Sequence, residues 1–144
     1  MRAVLLDTGP IVGLLSEADE HHAPTLAAIR ATGRRGRKLC TIWEVIGEAY
    51  TLFRTRYSPH RSAEPALAVL HWARESGIDI LATGEGDHQR VAAILERYSQ
   101  LRLSYVDALL LAIAERHGVE GLITVDTRHF STVRLTHRIL VTQV

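Results

Sequence analysis

The regular alternation of short apolar segments with longer helical ones most constrains how this chain folds. Aliphatic segments bounded by turn residues predict five strands: 2–7, 38–41, 78–82, 121–125 and 137–141. The segments between them predict helices: 11–16, 22–32, 43–57, 62–77, 87–99 and 104–117. Strands that alternate with helices form a parallel sheet covered by helices on both faces. The sequence therefore predicts an α/β fold in a single domain over 1–144.

Turn and capping residues set the predicted helix ends. Thr8-Gly9-Pro10 separates the first strand from the first helix. Ser58-Pro59 is expected to stop the helix over 43–57, and Pro65 is expected in the first turn of the next one. Asp87 is expected to be the N-cap of the helix that follows it, because its side chain can accept hydrogen bonds from free backbone amides.

Composition favours a globular protein in a reducing compartment. Apolar residues make up 47% and charged residues 23% of the chain, which is ordinary for this class. No apolar run reaches the ~20 residues of a membrane span, and the N-terminus lacks the long apolar region of a signal peptide. Cys40 is the only cysteine, so it forms neither an internal disulfide nor a cysteine-based metal site. We therefore expect a cytoplasmic protein that has no membrane segment.

Basic charge is concentrated in one segment, 30–38, which reads RATGRRGRK. Of the 17 basic residues in the chain only one is a lysine, and arginine can bind a phosphate with two parallel hydrogen bonds. This composition suits a nucleic-acid contact, although a solvated loop and an arginine bias of the genome explain it as well. The candidate RNA contacts are Arg34, Arg35, Arg37 and Lys38.

Four carboxylates are expected to converge at one edge of the sheet. Asp7 ends the first strand and Asp126 directly follows the fourth, so both lie at strand carboxyl ends, where ligands bind in open α/β sheets. Asp107 opens the helix that leads to the fourth strand, and Glu48 lies in the helix after the second. Taken singly, each acid has a structural explanation, as a helix cap, a turn residue or surface charge.

A metal ion explains the four acids together better than these separate roles do. Carboxylates that end apolar segments are costly to bury, and clustered acids repel one another unless a cation lies among them. The donors are all oxygen atoms, and oxygen donors select hard cations. The sequence therefore predicts a Mg²⁺ or Mn²⁺ site, and a water bound to such an ion is a nucleophile suited to phosphodiester cleavage.

Four segments, in the same order, resemble the acidic motifs of the PIN-domain family. They read VLLDTGPIVGLL (4–15), IGEAYTLF (46–53), LSYVDALLLAIAERHG (103–118) and LITVDTRHF (122–130). The likeness is strongest to the VapC-type toxin ribonucleases of toxin–antitoxin pairs. It implies a three-layer α/β/α sandwich around a parallel sheet of order 3-2-1-4-5. It also implies a Mg²⁺- or Mn²⁺-dependent endoribonuclease, a homodimer, and a small antitoxin that fills a groove beside the active site.

The resemblance assigns roles to individual residues. The family's catalytic and metal-binding acids fall on Asp7, Glu48, Asp107 and Asp126. Their polar neighbours in the matching motifs are Thr8, Ser104 and Thr124.

Two positions leave the site open to alternatives. Glu44 lies one helical turn before Glu48 on the same helix face, so it is a second candidate, although the spacing from the preceding strand favours Glu48. The family often carries a further acid before the third motif, where this chain has Gln100. Its absence bears on metal affinity or on a second metal ion.

Two rival functions fit parts of the sequence. A haloacid-dehalogenase-like phosphatase also has an aspartate at the end of its first strand, but it needs a second one two residues later, where Gly9 stands. A catalytically weak or inactive PIN-like domain would bind RNA or a partner without cutting, although all four acids are present. The apolar residues of two helices either belong to the core or line a partner groove: Ile11, Val12, Leu14, Leu15, Trp43 and Phe53.

Overall fold

A computed structural model describes residues 2–144 and has a parallel sheet at its centre. The five strands of this range are β1 (Ala3–Leu6), β2 (Lys38–Ile42), β3 (Asp79–Leu81), β4 (Gly121–Thr124) and β5 (Leu140–Gln143). Its six helices are α1 (Thr8–Leu15), α2 (His22–Arg34), α3 (Trp43–Arg56), α4 (Pro59–Glu75), α5 (Glu85–Arg97) and α6 (Tyr105–His117). The strand order is β3-β2-β1-β4-β5, and every neighbouring pair is parallel. The predicted fold and strand order are confirmed; Met1 lies outside the described residues.

The direction of the chain crossings assigns each helix to a face of the sheet. Crossovers between parallel strands are right-handed. From β1 the chain moves outward through β2 to β3, and it then returns past β1 to β4 and β5. Helices α1 to α4 therefore cover one face, and α5 and α6 cover the other. The packing agrees, since α3 contacts α1 and α4, and α5 contacts α6.

The helices that adjoin Asp7, Glu48 and Asp107, namely α1, α3 and α6, begin at the carboxyl edge of the sheet. α1 and α3 follow β1 and β2 directly, and α6 runs back from this edge to the start of β4. All residues of β1 and β4 are buried, as are the residues from Ala108 to Ala114 in α6. This burial explains why α6 is apolar around its whole circumference. The acids at the ends of these elements are thus attached to the most buried part of the fold.

Two helices begin earlier than predicted because proline belongs to their first turn. α1 begins at Thr8 with Asp7 as its N-cap, so it contains Gly9-Pro10 instead of starting after them. α4 begins at Pro59, directly after its N-cap Ser58. Proline is favoured there because its missing N–H would have no partner in a first helical turn. Pro65 lies inside α4 and not in its first turn.

The starts of α5 and β5 also differ from the predictions. Asp87 is not the N-cap of α5; Gly84 is, and Asp87 Oδ2 accepts a hydrogen bond from Gly84 N at 2.9 Å from inside the first turn. β5 spans Leu140–Gln143 instead of 137–141. Its pairing with β4 begins only where Leu140 N donates to Glu120 O at 2.9 Å.

The apolar residues of α1 and α3 do not share one environment. Ile11, Val12 and Phe53 are buried, and Leu14 and Leu15 are half-buried. Trp43 is 54% exposed, so the core interpretation is wrong for this residue. None of the helices within residues 2–144 has the length and apolar character that crossing a membrane requires.

Candidate active site

Asp7 lies at the centre of the acidic edge. Its backbone N donates to Ile123 O at 3.1 Å, which fixes the end of β1 against β4. As the N-cap of α1, it accepts the Thr8 backbone N–H at Oδ1, 2.7 Å away. Its Oδ2 accepts the Thr124 hydroxyl at 2.8 Å. The residue is only 8% exposed, so strand end, helix cap and hydrogen bonds together hold a carboxylate inside the protein.

Two further acids act electrostatically on Asp7. Burial raises the pKa of Asp7 from 3.8 to about 6, against the hydrogen bonds from Thr124 and Thr8, which lower it. The negative charges of Asp107 and Glu48 raise it further. Charges act on one another in this way only over short distances. Asp7, Glu48 and Asp107 therefore lie close enough at this edge of the sheet for their charges to interact, and their joint role as a site stays a prediction.

Asp107 also serves as part of a helix cap. The Ser104 hydroxyl accepts the Asp107 N–H at 3.0 Å, and Asp107 Oδ2 accepts the Ser104 N–H at 3.1 Å. This reciprocal pair is a capping box, which satisfies two free amides at the start of α6. One carboxylate oxygen of Asp107 is thus used by the helix. Asp107 therefore both caps α6 and acts electrostatically on Asp7.

Hydrogen bonds of the Thr124 hydroxyl connect the backbone of Asp126 to the Asp7 carboxylate. The single hydroxyl hydrogen of Thr124 points to Asp7 Oδ2, which is nearer than the Asp126 carbonyl at 3.3 Å. The same hydroxyl accepts the Asp126 N–H at 3.2 Å. The Asp126 carboxylate instead binds Arg128, whose Nη2 lies 2.9 Å from Oδ2. Hydrogen bonds from the Arg128 side chain and backbone lower the pKa of Asp126 to about 2.

Gly9 allows the loop after β4 to approach α1. A Cβ atom at Gly9 would lie 2.6 Å from Cγ2 of Val125, which is too close for real atoms. Only glycine therefore permits the packing that sets Val125, and with it Asp126, against the start of α1. Sequence reasoning used Gly9 as part of the break after the first strand and to reject a phosphatase, and it did not find this contact.

The two glutamates of α3 take different partners. Glu48 is half-buried and contributes to the field at Asp7. Glu44 Oε1 accepts the Thr83 hydroxyl at 2.6 Å, in the loop after β3, whereas its Oε2 is buried without a hydrogen-bond partner. Of the two, Glu48 is therefore the one whose charge reaches the centre of the site. Metal ligation by either glutamate stays a prediction.

The donor chemistry of the edge fits a hard cation, but the side chains are not in a ligating arrangement. Within residues 2–144 no three His, Cys, Asp or Glu side chains form a ready metal-binding group. Asp126 is paired with Arg128, and Asp107 is engaged in its capping box. A buried carboxylate with negative neighbours is nevertheless a position where an added cation is stabilising.

The basic residues predicted to contact RNA lie at the other edge of the sheet. α2 ends at Arg34 and β2 begins at Lys38, so the segment between them lies at the amino ends of the strands. Arg37 Nε lies 2.6 Å from Glu120 Oε2, and Lys38 Nζ lies 3.8 Å from Asp79 Oδ2. These ion pairs satisfy two of the four cations. The structure does not bring Arg34, Arg35, Arg37 or Lys38 to the acids, and their contact with RNA stays a prediction.

Sequence reasoning missed Arg128. It lies two residues after Asp126 in the turn that follows β4. A cation two residues after an acid in a turn was the available signal, and its consequence is that the Asp126 carboxylate is paired with Arg128.

The fold and the acidic edge define an α/β domain with a carboxylate site at the carboxyl ends of its parallel strands. The family model described as PIN domain matches residues 4–135. This match spans most of the chain, and the chain belongs to the PIN-domain family.

Individual proteins resemble this chain over nearly its whole length. Ribonuclease VapC26 of Mycobacterium tuberculosis is 24% identical over 131 residues, which are 91% of this chain and 92% of the relative. The crystal structure of M. tuberculosis VapC20, a sarcin-ricin loop cleaving toxin, covers 94% of this chain and 99% of its own, at a TM-score of 0.77 and 18% identity. A toxin–antitoxin complex from Klebsiella pneumoniae covers 91% and 92%, at a TM-score of 0.59 and 21% identity. These structures agree with the fold described above.

Proposed function

We propose that this chain is a metal-dependent endoribonuclease and the toxin of a type II toxin–antitoxin pair. Membership of the PIN-domain family and the likeness to ribonuclease VapC26 support cleavage of RNA. The likeness to a toxin–antitoxin complex supports a small antitoxin as partner. The proposal includes a single domain over 1–144 that acts as a cytoplasmic homodimer.

The observation that carries this proposal is the convergence of Glu48 and Asp107 on the buried Asp7. Burial and, to a smaller extent, the negative charges of Asp107 and Glu48 raise the pKa of Asp7 to about 6. Such a site favours a bound cation at neutral pH, where Asp7 is mostly ionised. The residues that would hold Mg²⁺ or Mn²⁺ are Asp7, Glu48, Asp107 and, after release from Arg128, Asp126. When bound, the ion supplies Lewis-acid activation of the phosphodiester and of the attacking water.

The remaining residues of the site orient the acids. Thr124 and the Thr8 N–H hold both oxygens of Asp7, so its carboxylate has one orientation. Ser104 holds Asp107 through the capping box. Orientation before the reaction matters because a ligand fixed in advance needs no further ordering when substrate binds.

The decisive experiment replaces Asp7 with asparagine, which keeps the shape and removes the charge. We expect D7N to lower the rate of RNA cleavage in Mg²⁺ or Mn²⁺ by more than about a hundredfold, since even groups outside the metal ligands cost 10–100-fold when removed. The measurement is gel-resolved cleavage of total RNA. Asp79→Asn is the matched control, because Asp79 is an exposed acid of β3 that lies outside the acidic edge.

Two outcomes would contradict the proposal. A D7N protein that cuts RNA at the full rate would remove Asp7 from the site. A wild-type chain that binds RNA or a partner but cuts nothing in either metal would favour the catalytically inactive PIN-like binding module instead.

A further inference from the structure

Two exposed aromatic side chains flank the acidic edge. Within residues 2–144 the large hydrophobic side chains with marked exposure are Trp43, Tyr57, Leu67, Leu70, Tyr105 and Leu140. Trp43 is the first residue of α3 and Tyr105 is the first residue of α6. Both helices begin at the carboxyl edge, and each carries one acid that acts on Asp7. We call Trp43 and Tyr105 the aromatic pair.

The aromatic pair lies within a short reach of the acids along each helix. At 1.5 Å rise per residue, Tyr105 is separated from Asp107 by about 3 Å and Trp43 from Glu48 by about 7.5 Å along the helix axes. α3 belongs to one helical layer and α6 to the other, so the two residues begin helices on opposite faces of the sheet.

The exposed Tyr105 ring is held in place. It stacks on His88 with centroids 5.8 Å apart and planes 20° from parallel. Its hydroxyl also forms a hydrogen bond with His88 Nδ1. The ring is nevertheless exposed, with 48% of the residue accessible. An aromatic ring that is both fixed and exposed loses little conformational entropy when another flat group stacks on it.

Trp43 is exposed at a cost. An indole carries a large apolar surface, and leaving 54% of the residue in water forgoes hydrophobic free energy. Of the residues one turn further along α3, Ile46 is buried and Gly47 has no side chain. These two residues therefore add no exposed apolar surface to the indole, and a single exposed ring suits stacking against a flat ligand better than it suits the continuous apolar patch of a protein interface.

Resting on the proposed ribonuclease function, we infer that Trp43 and Tyr105 stack on unpaired bases beside the scissile phosphate. Unpaired RNA bases are recognised by stacking on aromatic side chains, which accept any base because each has a flat face. Bases in a duplex are already stacked and cannot insert in this way. The aromatic pair therefore positions a single-stranded segment of RNA across Asp7, Glu48 and Asp107.

The test measures binding without cleavage. A labelled, unstructured mixed-sequence oligoribonucleotide is titrated in EDTA with the wild type and with W43A and Y105A, and binding is followed by fluorescence anisotropy. Each substitution should weaken binding by about five- to 150-fold, which corresponds to stacking of about 1–3 kcal/mol per base. The same oligonucleotide annealed to its complement should bind the wild type less tightly and should respond little to either substitution.

Tyr57 provides the matched control. It is 43% exposed and follows the last turn of α3, about 20 Å of helix rise from Trp43. Y57A removes an exposed aromatic from the same helix without touching the acidic edge, so it should bind RNA like the wild type. Equal binding by wild type, W43A and Y105A would overturn the inference and leave the aromatic pair to a protein partner. Absence of single-strand binding by the wild type, or an equal loss in Y57A, would overturn it too.

A second measurement reports stacking directly. The chain has two tryptophans, and W72F leaves Trp43 as the only one. Stacking of bases on its exposed indole should quench its emission as single-stranded RNA is added. Quenching without cleavage in Mg²⁺ or Mn²⁺ would contradict the ribonuclease proposal and leave the stacking inference standing. RNA cleavage without quenching, at a rate that W43A and Y105A do not lower, would contradict the stacking inference and leave the ribonuclease proposal standing.

Discussion

Thr124 shows how one neutral side chain links two acids. Its hydroxyl donates to Asp7 at 2.8 Å and accepts from the Asp126 N–H at 3.2 Å. The hydrogen bond to Asp7 favours the ionised carboxylate and opposes the effect of burial on its pKa. Thr124 is completely buried, so water does not replace this bond if the hydroxyl is removed.

Thr124→Val should raise the pKa of Asp7 above about 6, because valine keeps the shape but cannot donate the hydrogen bond. It should also lower the free energy of unfolding by about 1–3 kcal/mol, the typical cost of leaving a buried polar group without its partner. The measurement is a pH titration of the Asp7 carboxyl carbon by NMR. Thr41→Val is the control, since Thr41 is buried nearby but donates to Leu6 O at 2.9 Å. An equal rise in the Asp7 pKa in T41V would contradict the role given to Thr124.

At this scale the sequence predicted positions better than orientations. Asp7 was placed correctly at the edge because a strand ends directly before it, and chain topology alone decides that. The pairing of Asp126 with Arg128 was not predicted, because side-chain rotamers in a turn depend on neighbours that the sequence pattern does not rank. For Trp43 the sequence left burial in the core and a partner groove open for a related reason: apolar residues of a helix are usually buried, and only the packing shows that this one is exposed.

Among the helices, one ion pair joins α5 to α6. Arg116 Nε lies 2.6 Å from Asp87 Oδ1, and Arg116 Nη2 also donates to Ala82 O at 2.7 Å. Asp87 is only 3% exposed. Burial alone would raise the pKa of Asp87. The hydrogen bonds from Arg116 and Gly84 N, together with the charge of Arg116, outweigh this effect, so the pKa of Asp87 is lowered. Because this pKa is lower in the folded than in the unfolded chain, Asp87 stabilises the fold above its ordinary pKa of 3.8.

Arg116→Ala should lower the free energy of unfolding by about 2 kcal/mol at neutral pH, the usual contribution of hydrogen bonds to a charged group. The loss should shrink as the pH falls through the lowered pKa of Asp87, because the protonated carboxyl no longer needs the cation. Urea unfolding at neutral pH and at about pH 3 measures both values. Lys38→Ala is the control: its pair with Asp79 is exposed on both sides and should contribute less than about 1 kcal/mol. An equal loss at both pH values would show that the ion pair is not the cause.

The elements themselves were predictable because strand and helix periods differ clearly in this chain. The ends of the elements were less predictable. Gly9-Pro10 and Pro59 look like breaks in a sequence pattern, yet both lie in the first turn of a helix, where proline removes no helical hydrogen bond. The predicted bounds of β5 differ from the observed ones because the start of this strand depends on pairing with β4, a contact between separate segments of the chain. Local patterns do not contain this information.

For the molecule as a whole, the ionised Asp7 lowers the free energy of unfolding, and a bound cation can offset this loss. Its pKa is raised from 3.8 to about 6, so the folded chain holds this proton more tightly than the unfolded chain. The corresponding stabilisation is complete below pH 3.8 and is lost as the pH rises through about 6. Above that pH the ionised, buried carboxylate makes the fold less stable, by a free energy of about 3 kcal/mol. A metal ion that binds only the folded state would reverse this loss.

We therefore expect Mg²⁺ or Mn²⁺ to raise the melting temperature of the wild type at neutral pH by a few degrees. An ion at ten times its dissociation constant contributes about 1.4 kcal/mol, which is a shift of this size for a domain of this length. At about pH 5 the shift should be smaller, because a protonated Asp7 is a poor ligand. D7N is the control: in EDTA at neutral pH it should melt above the wild type, since it buries no charge, and neither metal should move it. A metal shift in D7N as large as in the wild type would place the ion elsewhere. No shift in the wild type would mean that the acids do not bind the metal ion until an RNA phosphate joins them. The same titration, repeated with a bound and uncleavable RNA analogue, decides whether the metal ion binds when RNA is present.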